Sequence, residues 1–547
     1  MADEKQSEKI EGYVRDRMAR LATLKTQRRV WESHWQELGD YMVPRKADIT
    51  KKRTAGDKRT DLIFDGTAIH AAELLAASLH GMLTSASSPW FSLRFTDPML
   101  DADDLAKEWL ESAQNDMYNA FAKSNFQEQI HELYSDLVTF GTAVMFIEAD
   151  KETVLRFQTR HIAECYLSED EFGRVDTVIR VYKIPGRDAR NMFGEALGPV
   201  LWKKIEADPF ELVELTHFVM PRDAYDPGIP DNLNMPWMSC YIDGENKWLV
   251  SESGFKENPY VCPRYLKSSF EVGYGRSPSM TALPDTKMLQ EMSKTTIKAA
   301  QKMVDPPLLV PDDGFILPIR VTPGGLNFYR SGTRDRIETL TTAQATPLGL
   351  QIEDQRREAI RQAFYVDQLQ LRESPNMTAT EVISRNEQRM RLLGPVLGRL
   401  QSELLQPLIQ RSFNLMAEAR MFDAAPEYMQ TGNIDIEYVS PLAKAQRQGE
   451  IDSTLRMFEI LNPLAQIEPG IFDYVDMDGL VKFVARTVGV PASVLRSETD
   501  VVNIREERQQ AEAQQAEMMQ AQQVAETAGA AAPALKAVGQ FGQAPAR

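Results

Sequence analysis

The residue types that do chemistry are present in this chain, but not at the spacings that chemistry requires. A phosphate-cradling loop needs Gly-x-x-x-x-Gly-Lys-Ser/Thr, whose backbone N–H groups and lysine hold the phosphates, and no such run occurs. Gly273-Tyr274-Gly275-Arg276-Ser277-Pro278 begins as a dinucleotide fingerprint does. It then has Pro where a third glycine must let helix and strand pack closely. His131-Glu132 lacks the second His, four positions after the first, that would set two imidazoles on one helix face for zinc. Asp476-Met477-Asp478-Gly479 matches the middle of a calcium loop, yet Tyr474 and Ala485 stand at its first and twelfth positions, where oxygen ligands are needed. There is no Gly-x-Ser-x-Gly elbow. The six histidines (His34, His70, His80, His131, His161, His217) fall inside helix or strand patterns, where packed or surface roles are expected. No catalytic, cofactor-binding or metal-ligating residue is therefore assigned, and no cofactor is expected.

Charge carries more pattern. At about 100° per residue, Lys287, Lys294, Lys298 and Lys302 share one helix face, with Met288, Met292, Ala299 and Met303 on a neighbouring one. This reads either as a solvated lysine stripe beside a packing face or as a helix packed against copies of itself that presents charge to a polyanion. From Arg45 to Arg59 there are seven basic residues (Arg45, Lys46, Lys51, Lys52, Arg53, Lys58, Arg59) against two acidic ones, a solvated loop or an anion contact. The whole chain of 547 residues is acidic nonetheless, with 62 Lys and Arg against 79 Asp and Glu, a net charge of −17. That excludes a generally basic nucleic-acid binder, and 43% apolar content excludes a fully disordered chain. Three scattered cysteines, Cys165, Cys240 and Cys262, make no disulfide framework and point to a reducing compartment. The charged start MADEKQSEKI lacks the apolar core of a secretory signal. The uncharged stretch Leu74–Leu93 has the length of a membrane span, but its serines, His80 and Pro89 favour a buried helix running into a turn, and no membrane span is expected.

These residues need elements to hold them. The first 40 residues read as a long helix ending before Pro44, followed by helices over Asp65–Thr84, Asp101–Lys123 and Gln127–Phe140. After Gly141, short aromatic or β-branched runs predict strands at Ala143–Glu148, Val154–Gln158, Val175–Lys183, Glu211–Met220, Trp237–Ile242, Trp248–Ser251 and Tyr260–Tyr265. Short helices are expected among them at Arg187–Phe193 and Gly198–Ala207. A helix over Ser279–Val304 precedes a Pro/Gly-rich, non-helical insert to about Thr346, and a second helix follows at Leu348–Gln368. Leu369–Met377 is a polar loop. Thr378-Ala379-Thr380-Glu381 is a capping box opening a helix of some 40 residues to Met421, with kinks expected at Gly394-Pro395 and Pro407. A strand at Asn433–Val439, a helical block at Leu442–Arg496 and a Gln/Ala/Met-rich tail complete the chain.

This order of elements, with several local strings, resembles the head-to-tail connector, or portal, proteins of short-tailed bacteriophages. The strings are Tyr41-Met-Val-Pro44, Ser88-Pro-Trp-Phe-Ser-Leu93, Tyr274-Gly-Arg-Ser277, Asn376-Met-Thr-Ala-Thr-Glu381 and Glu403-Leu-Leu-Gln-Pro407-Leu. The resemblance implies a mainly α chain with an α+β wing, in a portal fold of paired stem helices, small clip insert, long kinked wing helix and helical crown. It divides the chain into a wing (1–278), stem helices (279–304 and 348–368) around a clip (305–347), and a tunnel loop (369–377). A long kinked wing helix with its return strand (378–440), a crown (441–505) and a tail (506–547) that forms a helical barrel complete the division.

It further implies a homo-oligomeric ring of about twelve copies at one capsid vertex, sited in the virion after assembly in the host cytoplasm. Double-stranded DNA passes through its channel. Its partners are the terminase large subunit, capsid and scaffolding proteins, tail adaptor proteins and internal core or ejection proteins. Gln368, Gln370, Arg372, Glu373 and Asn376 around the tunnel loop become candidate valve or DNA contacts, unless that loop is a plain helix connector. The lysine stripe becomes a candidate channel lining on charge grounds alone. Two other classes stay open: a non-viral helical scaffold protein, and an enzyme with an unrecognised site in the strand-rich region.

Overall fold

The computed structural model describes residues 2–54, 56–97, 99–100, 103–229, 231–304, 308–309, 338–339, 347–369, 393–425, 434–438, 454, 456–461, 463, 475–488, 496, 500–516 and 518–519. In chain order the helices and strands begin with α1 (Ala2–Met42), α2 (Thr67–Leu83), β1 (Phe91–Phe95), α3 (Asp104–Lys123) and α4 (Phe126–Phe140). Next come β2 (Val144–Asp150), β3 (Val154–Arg160), β4 (Cys165–Glu169), β5 (Val175–Pro185), α5 (Gly186–Phe193), α6 (Pro199–Ala207) and β6 (Leu212–Pro221). They are followed by β7 (Trp237–Asp243), β8 (Trp248–Phe255), β9 (Tyr260–Val261), α7 (Pro278–Val304), β10 (Leu308–Leu309) and β11 (Glu338–Thr339). The remainder are α8 (Pro347–Ala363), α9 (Val366–Leu369), α10 (Gln406–Glu418), β12 (Ile434–Tyr438) and α11 (Met477–Val488). The chain divides into two compact units, Met1–Ser92 with Ala113–Ala424 and Ile436–Gln446, and Leu93–Ser112 with Ala425–Asp435 and Arg447–Arg547.

In the first unit, β4 to β8 form a five-stranded antiparallel meander in sequence order. Alternation along each strand gives it two apolar faces. Ile179, Phe218, Met238, Cys240 and Ile242 meet Val14, Leu21 and Leu24 of α1, while Tyr182, Val213, Leu215 and Val250 meet Ala189, Leu201 and Ile205 of α5 and α6. Most of α1's stability must come from this stripe, because its polar face buries little. Arg28, fully buried, fixes the register: its guanidinium donates to the carbonyls of Ile162, Ala163 and Cys165 and lies 3.6 Å over the Tyr166 ring.

A second sheet, β3-β2-β9, lies beside α4. Its β3 edge is closed by side chains: the Asn125 amide exchanges two hydrogen bonds with the Phe157 backbone, and Gln129 receives the Thr159 N–H and hydroxyl. Such capping removes a free strand edge. An aromatic cluster of Trp90, Phe91, Phe121, Phe126 and Phe157 fills the space between. The uncharged stretch from Leu74 becomes the buried C-terminal half of α2, then a turn before β1, and no helix among the described residues is long and apolar enough to cross a membrane.

In the second unit, the Phe95 and Trp109 rings stack, and Arg505 holds Asp478 at the start of α11 through both carboxylate oxygens.

Three expectations need correction. First, β4 and β1 are strands that the alternation rule passed over: β4 is too buried to alternate, and β1 follows directly on the Ser/Pro turn. Second, the helix expected over 348–368 breaks. Tyr365 adopts φ +57°, a left-handed value uncommon outside glycine, so α8 stops at Ala363 and α9 restarts at Val366. Third, within the subunit Met288 and Met303 do not lie on a packed face of α7; both are exposed, which sets aside the reading of a packing face beside the lysines and leaves that of packing against copies. The capping box and the loop at 370–377 lie outside the described residues, as does most of the Pro/Gly insert, of which β10 pairs antiparallel with β11. The kink expected at Pro407 takes a definite form. Residues 393–400 and α10 are helical, and between them Gln401–Leu405 widen into a π turn, with the Gln406 N–H reaching the Gln401 carbonyl just before the proline that cannot donate.

Candidate functional site: the paired helices

The lysine-bearing helix α7 is stitched at its root to the end of α4. A helix ends with carbonyls that lack intrahelical partners. Ser277 and Ser279 hydroxyls donate to the carbonyls of Thr139 and Val138 at 2.8 and 2.9 Å, which explains the Ser-x-Ser spacing. Gly141, at φ +80°, and Gly275 lie so close that a Cβ on either would collide with the other's backbone, so both must be glycine.

The inward face of α7 is more polar than its sequence periodicity implied. Leu283 and Leu289 are buried, but so are Thr286, Gln290 and Ser293. Gln290 clamps the segment leading into α2: its Oε1 accepts the N–H groups of Phe64 and Asp65 at 2.6 and 2.9 Å, and its Nε2 donates to the Asp65 carbonyl at 2.7 Å. The Asp65 carboxylate in turn receives Arg357 from α8 at 2.9 Å and the Thr67 N–H at 2.8 Å. Burial pushes the Asp65 carboxyl upward, but the hydrogen bonds from Thr67 and Arg357 outweigh it and leave its pKa lowered. Arg357 also holds Glu353 and Asp354, the Thr296 hydroxyl donates to the buried Glu353, and Arg356 pairs with Asp285 at 2.8 Å. Two helices are thus zipped by oriented polar contacts.

The four lysines separate into two kinds. Lys287 pairs with Glu37 at 3.2 Å; Lys294 reaches Glu291 at 3.4 Å and lies 5.7 Å from the Phe64 ring centre. Lys298 and Lys302 are exposed and have no ion pair among the described residues. Exposed apolar side chains, Met288, Ile297, Met303 and Leu350, stand on the same two helices. Gln368 is exposed on α9, with its N–H on the Tyr365 carbonyl. Gln370, Arg372, Glu373 and Asn376 lie outside the described residues.

The basic run at 45–59 is largely neutralised at home. Lys46 meets Asp136 and Glu132, Lys51 and Arg53 meet Asp40, Arg53 and Arg59 share Asp48, and Lys58 meets Asp61. The buried Gln36 organises the turn by accepting the N–H groups of Ile49, Thr50 and Lys51. These contacts favour the solvated-loop reading over an anion site.

Sequence reasoning missed a buried node that ties α7's root to the long helix. Arg264, 1% exposed, binds Glu169, the Gly173 carbonyl and both oxygens of Glu403, which sits in the π turn. Glu169 also accepts Lys267 and the Gly273 N–H. Nothing in the local pattern of Arg264 marks it, since its partners Glu169 and Glu403 lie 95 and 139 residues away in the chain.

The site offers anchorage and directed charge, and among the described residues no three metal-ligating side chains gather. The chain belongs to the bacteriophage head to tail connecting protein family, whose profile matches residues 15–495. It is 33% identical over 524 residues to the probable portal protein of Bordetella phage BPP-1, covering 93% of this chain and 94% of that one. It is 31% identical over 510 residues to the portal protein of Salmonella phage epsilon15, 91% of each. With the portal protein of Enterobacteria phage T3 it shares 21% over 403 residues, 71% of each.

Proposed function

We propose that this chain is the portal subunit of a phage virion: a structural, non-enzymatic connector whose copies close a ring of about twelve at one capsid vertex. Double-stranded DNA enters through the ring during packaging and leaves through it at ejection. Terminase docks on the ring first and tail adaptor proteins later, with capsid, scaffolding and internal core or ejection proteins as further neighbours. In this reading α7 and α8 are the stem, 305–347 the clip, 369–377 the tunnel loop with Gln370, Arg372, Glu373 and Asn376 as its DNA contacts, and 441–505 the crown. The observation that supports it best is the division of labour on α7. Polar ties fasten its inner face to its own subunit, while exposed Met288 and Met303 are left for neighbouring copies and Lys298 and Lys302 for the lumen.

A conduit must pass DNA without gripping it, and every phosphate neutralised adds affinity. An acidic chain of net charge −17 whose α7 carries two cations, Lys298 and Lys302, without an ion pair among the described residues meets that requirement. The test is the double reversal Lys298→Glu with Lys302→Glu. Ring mass and hole should stay native by negative-stain imaging and mass photometry, while packaged or retained DNA falls. Normal packaging by this ring removes the lysines from the channel, and a stable monomer or open fibre of the unmodified chain overturns the portal reading itself.

A further inference from the structure

Two arginines flank the place where the chain crosses from the second sheet into the meander. Arg160 ends β3, the short turn Ile162–Glu164 follows, and β4 begins at Cys165, whose partner on β5 is Arg180. The facing surfaces of the two sheets meet here. Arg180, His217 and Tyr241 are directly paired across β5, β6 and β7, and from the second sheet the Tyr260 hydroxyl lies 3.2 Å from His217 Nδ1. Phe146 of that sheet packs edge-on against His217. Arg160 shares the Phe146 face, because it pairs with Val144, two positions away along β2.

The two guanidiniums differ in their partners. Arg180 donates to Glu164 at 2.9 Å and lies 3.9 Å over the Tyr182 ring. Arg160 has no hydrogen bond or ion pair among the described residues, and its Nε is fully enclosed. Burial, with the charge of Arg180 added, lowers the Arg160 pKa. A guanidinium keeps its proton even so, and only an acceptor can offset the cost of enclosing it. The tyrosines 182 and 241, both within reach of the two arginine charges, likewise carry hydroxyls without a hydrogen-bond partner among the described residues.

The carboxylates nearby are spent elsewhere. Glu164 belongs to Arg180. Glu148 is paired across the sheet with Arg156, about 13 Å along β3 from Arg160 at the usual rise per residue. It accepts the Gln158 amide at 2.7 Å, and burial raises its pKa against the pull of Arg156 and Arg160. Asp150 lies farther still, at the β2–β3 turn, where it accepts the Thr153 N–H and hydroxyl. Three arginines thus face two glutamates on these surfaces, and Arg160 is the cation left over.

A carboxylate offers two oxygens in one plane, which a guanidinium fork satisfies by itself. Here the donors come from three strands, the fork on β3 and hydroxyls on β5 and β7, and suit an anion with acceptors in several directions. We propose that Arg160, Tyr182 and Tyr241 form a binding site for a free tetrahedral oxyanion of phosphate size, which bridges the two sheets where the chain crosses between them. The site lies within one subunit and does not depend on ring closure or on the stem lysines.

The full chain is titrated with sodium phosphate, and with sodium chloride at equal ionic strength, by calorimetry and by thermal unfolding. The native protein should take up about one phosphate per chain and gain thermal stability that chloride does not give. Arg160→Met keeps the aliphatic stem and should weaken phosphate binding about tenfold or more, as should Tyr182→Phe combined with Tyr241→Phe, which keeps both rings. Glu148→Gln removes a repelling charge and should tighten binding. Arg29→Met, at an exposed arginine of α1, should leave it unchanged. Equal effects of phosphate and chloride on the native chain overturn the site. Binding that Arg160→Met and the tyrosine pair both retain at native strength is an adventitious ion only and overturns it too. Should Arg160→Met fail to fold, the tyrosine pair and Glu148→Gln decide, and native affinity in both is the refuting result.

Discussion

Replacing Gln290 with Met keeps the side chain's length and shape but removes its three hydrogen bonds to the 64–65 backbone. Two N–H groups and one carbonyl then lose their partner next to a helix face that is 2% exposed at this residue. Each lost bond costs about 1 kcal/mol net when water can take its place, and up to about 3 when it cannot. Phe64 lies partly open to solvent, so the lower figure applies, and the segment should be about 3 kcal/mol easier to open. At 1.4 kcal/mol per decade this is roughly a 100-fold rise in the population of the open form. Amide hydrogen exchange on the assembled protein reads that population, and the Phe64 and Asp65 amides should exchange faster by that factor. Amides in β5 and β6, remote from the clamp, should not change. If the Met variant exchanges at 64 and 65 within about threefold of the native rate, Arg357 and α2 hold the segment unaided, and the argument that buried polar ties fasten the paired helices is wrong.

Two further outcomes follow from buried charge. His217 is buried between Tyr241, against which it stacks at 4.1 Å, and hydrogen bonds to Ser239 and Tyr260, and burial, with Arg180 and Arg160 nearby, lowers its pKa to about 3. The unfolded chain takes up a proton near pH 6.5 that the folded chain refuses, so stability is full above that value and falls as pH drops towards 3, by about 2 kcal/mol at pH 5; urea titrations at pH 7 and 5 should show this loss, and His217→Gln should abolish it. Arg264→Met leaves Glu169 and Glu403 buried without their shared cation, which should destabilise the first unit by about 3 kcal/mol; an unchanged urea midpoint would mean that Lys267 and Arg399 suffice to balance the two carboxylates.

Much of the architecture was legible because apolar periodicity reports on burial. The existence of the long first helix, of most strands between Val144 and Phe255 and of the helix at 278–304 follows from such periods, although the buried face of the last does not. The break at Tyr365 was not legible, since neither Gly nor Pro marks it: α8 ends where Phe364 turns fully into the core, and that choice is tertiary. Of the candidate site, the four lysines were found but not their difference. Glu37 and Phe64, which occupy Lys287 and Lys294, lie more than 200 residues away in the chain, and no local spacing reports such a partner. The clamp at Gln290 was missed for a related reason. Apolar periodicity marks apolar faces, and Thr286, Gln290 and Ser293, polar yet buried, carry no such mark.

That inversion has a physical basis in what the helix must do. An apolar face gains free energy from area and is indifferent to register, so a helix with Leu and Met all round could settle against its own subunit in several rotations. Polar contacts are directional: the Gln290 amide satisfies three backbone groups in one orientation only, and Thr296 meets Glu353 in the same rotation. Spending polar side chains on the inner face therefore fixes the rotation of α7. It also keeps Met288 and Met303 outside, where a subunit that must pack against copies of itself needs them. The same rotation decides where Lys298 and Lys302 point. Loosening the clamp in Gln290→Met should thus reproduce, in weaker form, the packaging defect of the lysine reversal without any change of charge; a Gln290→Met ring that packages DNA normally while its 64–65 amides exchange fast would separate helix rotation from lysine placement.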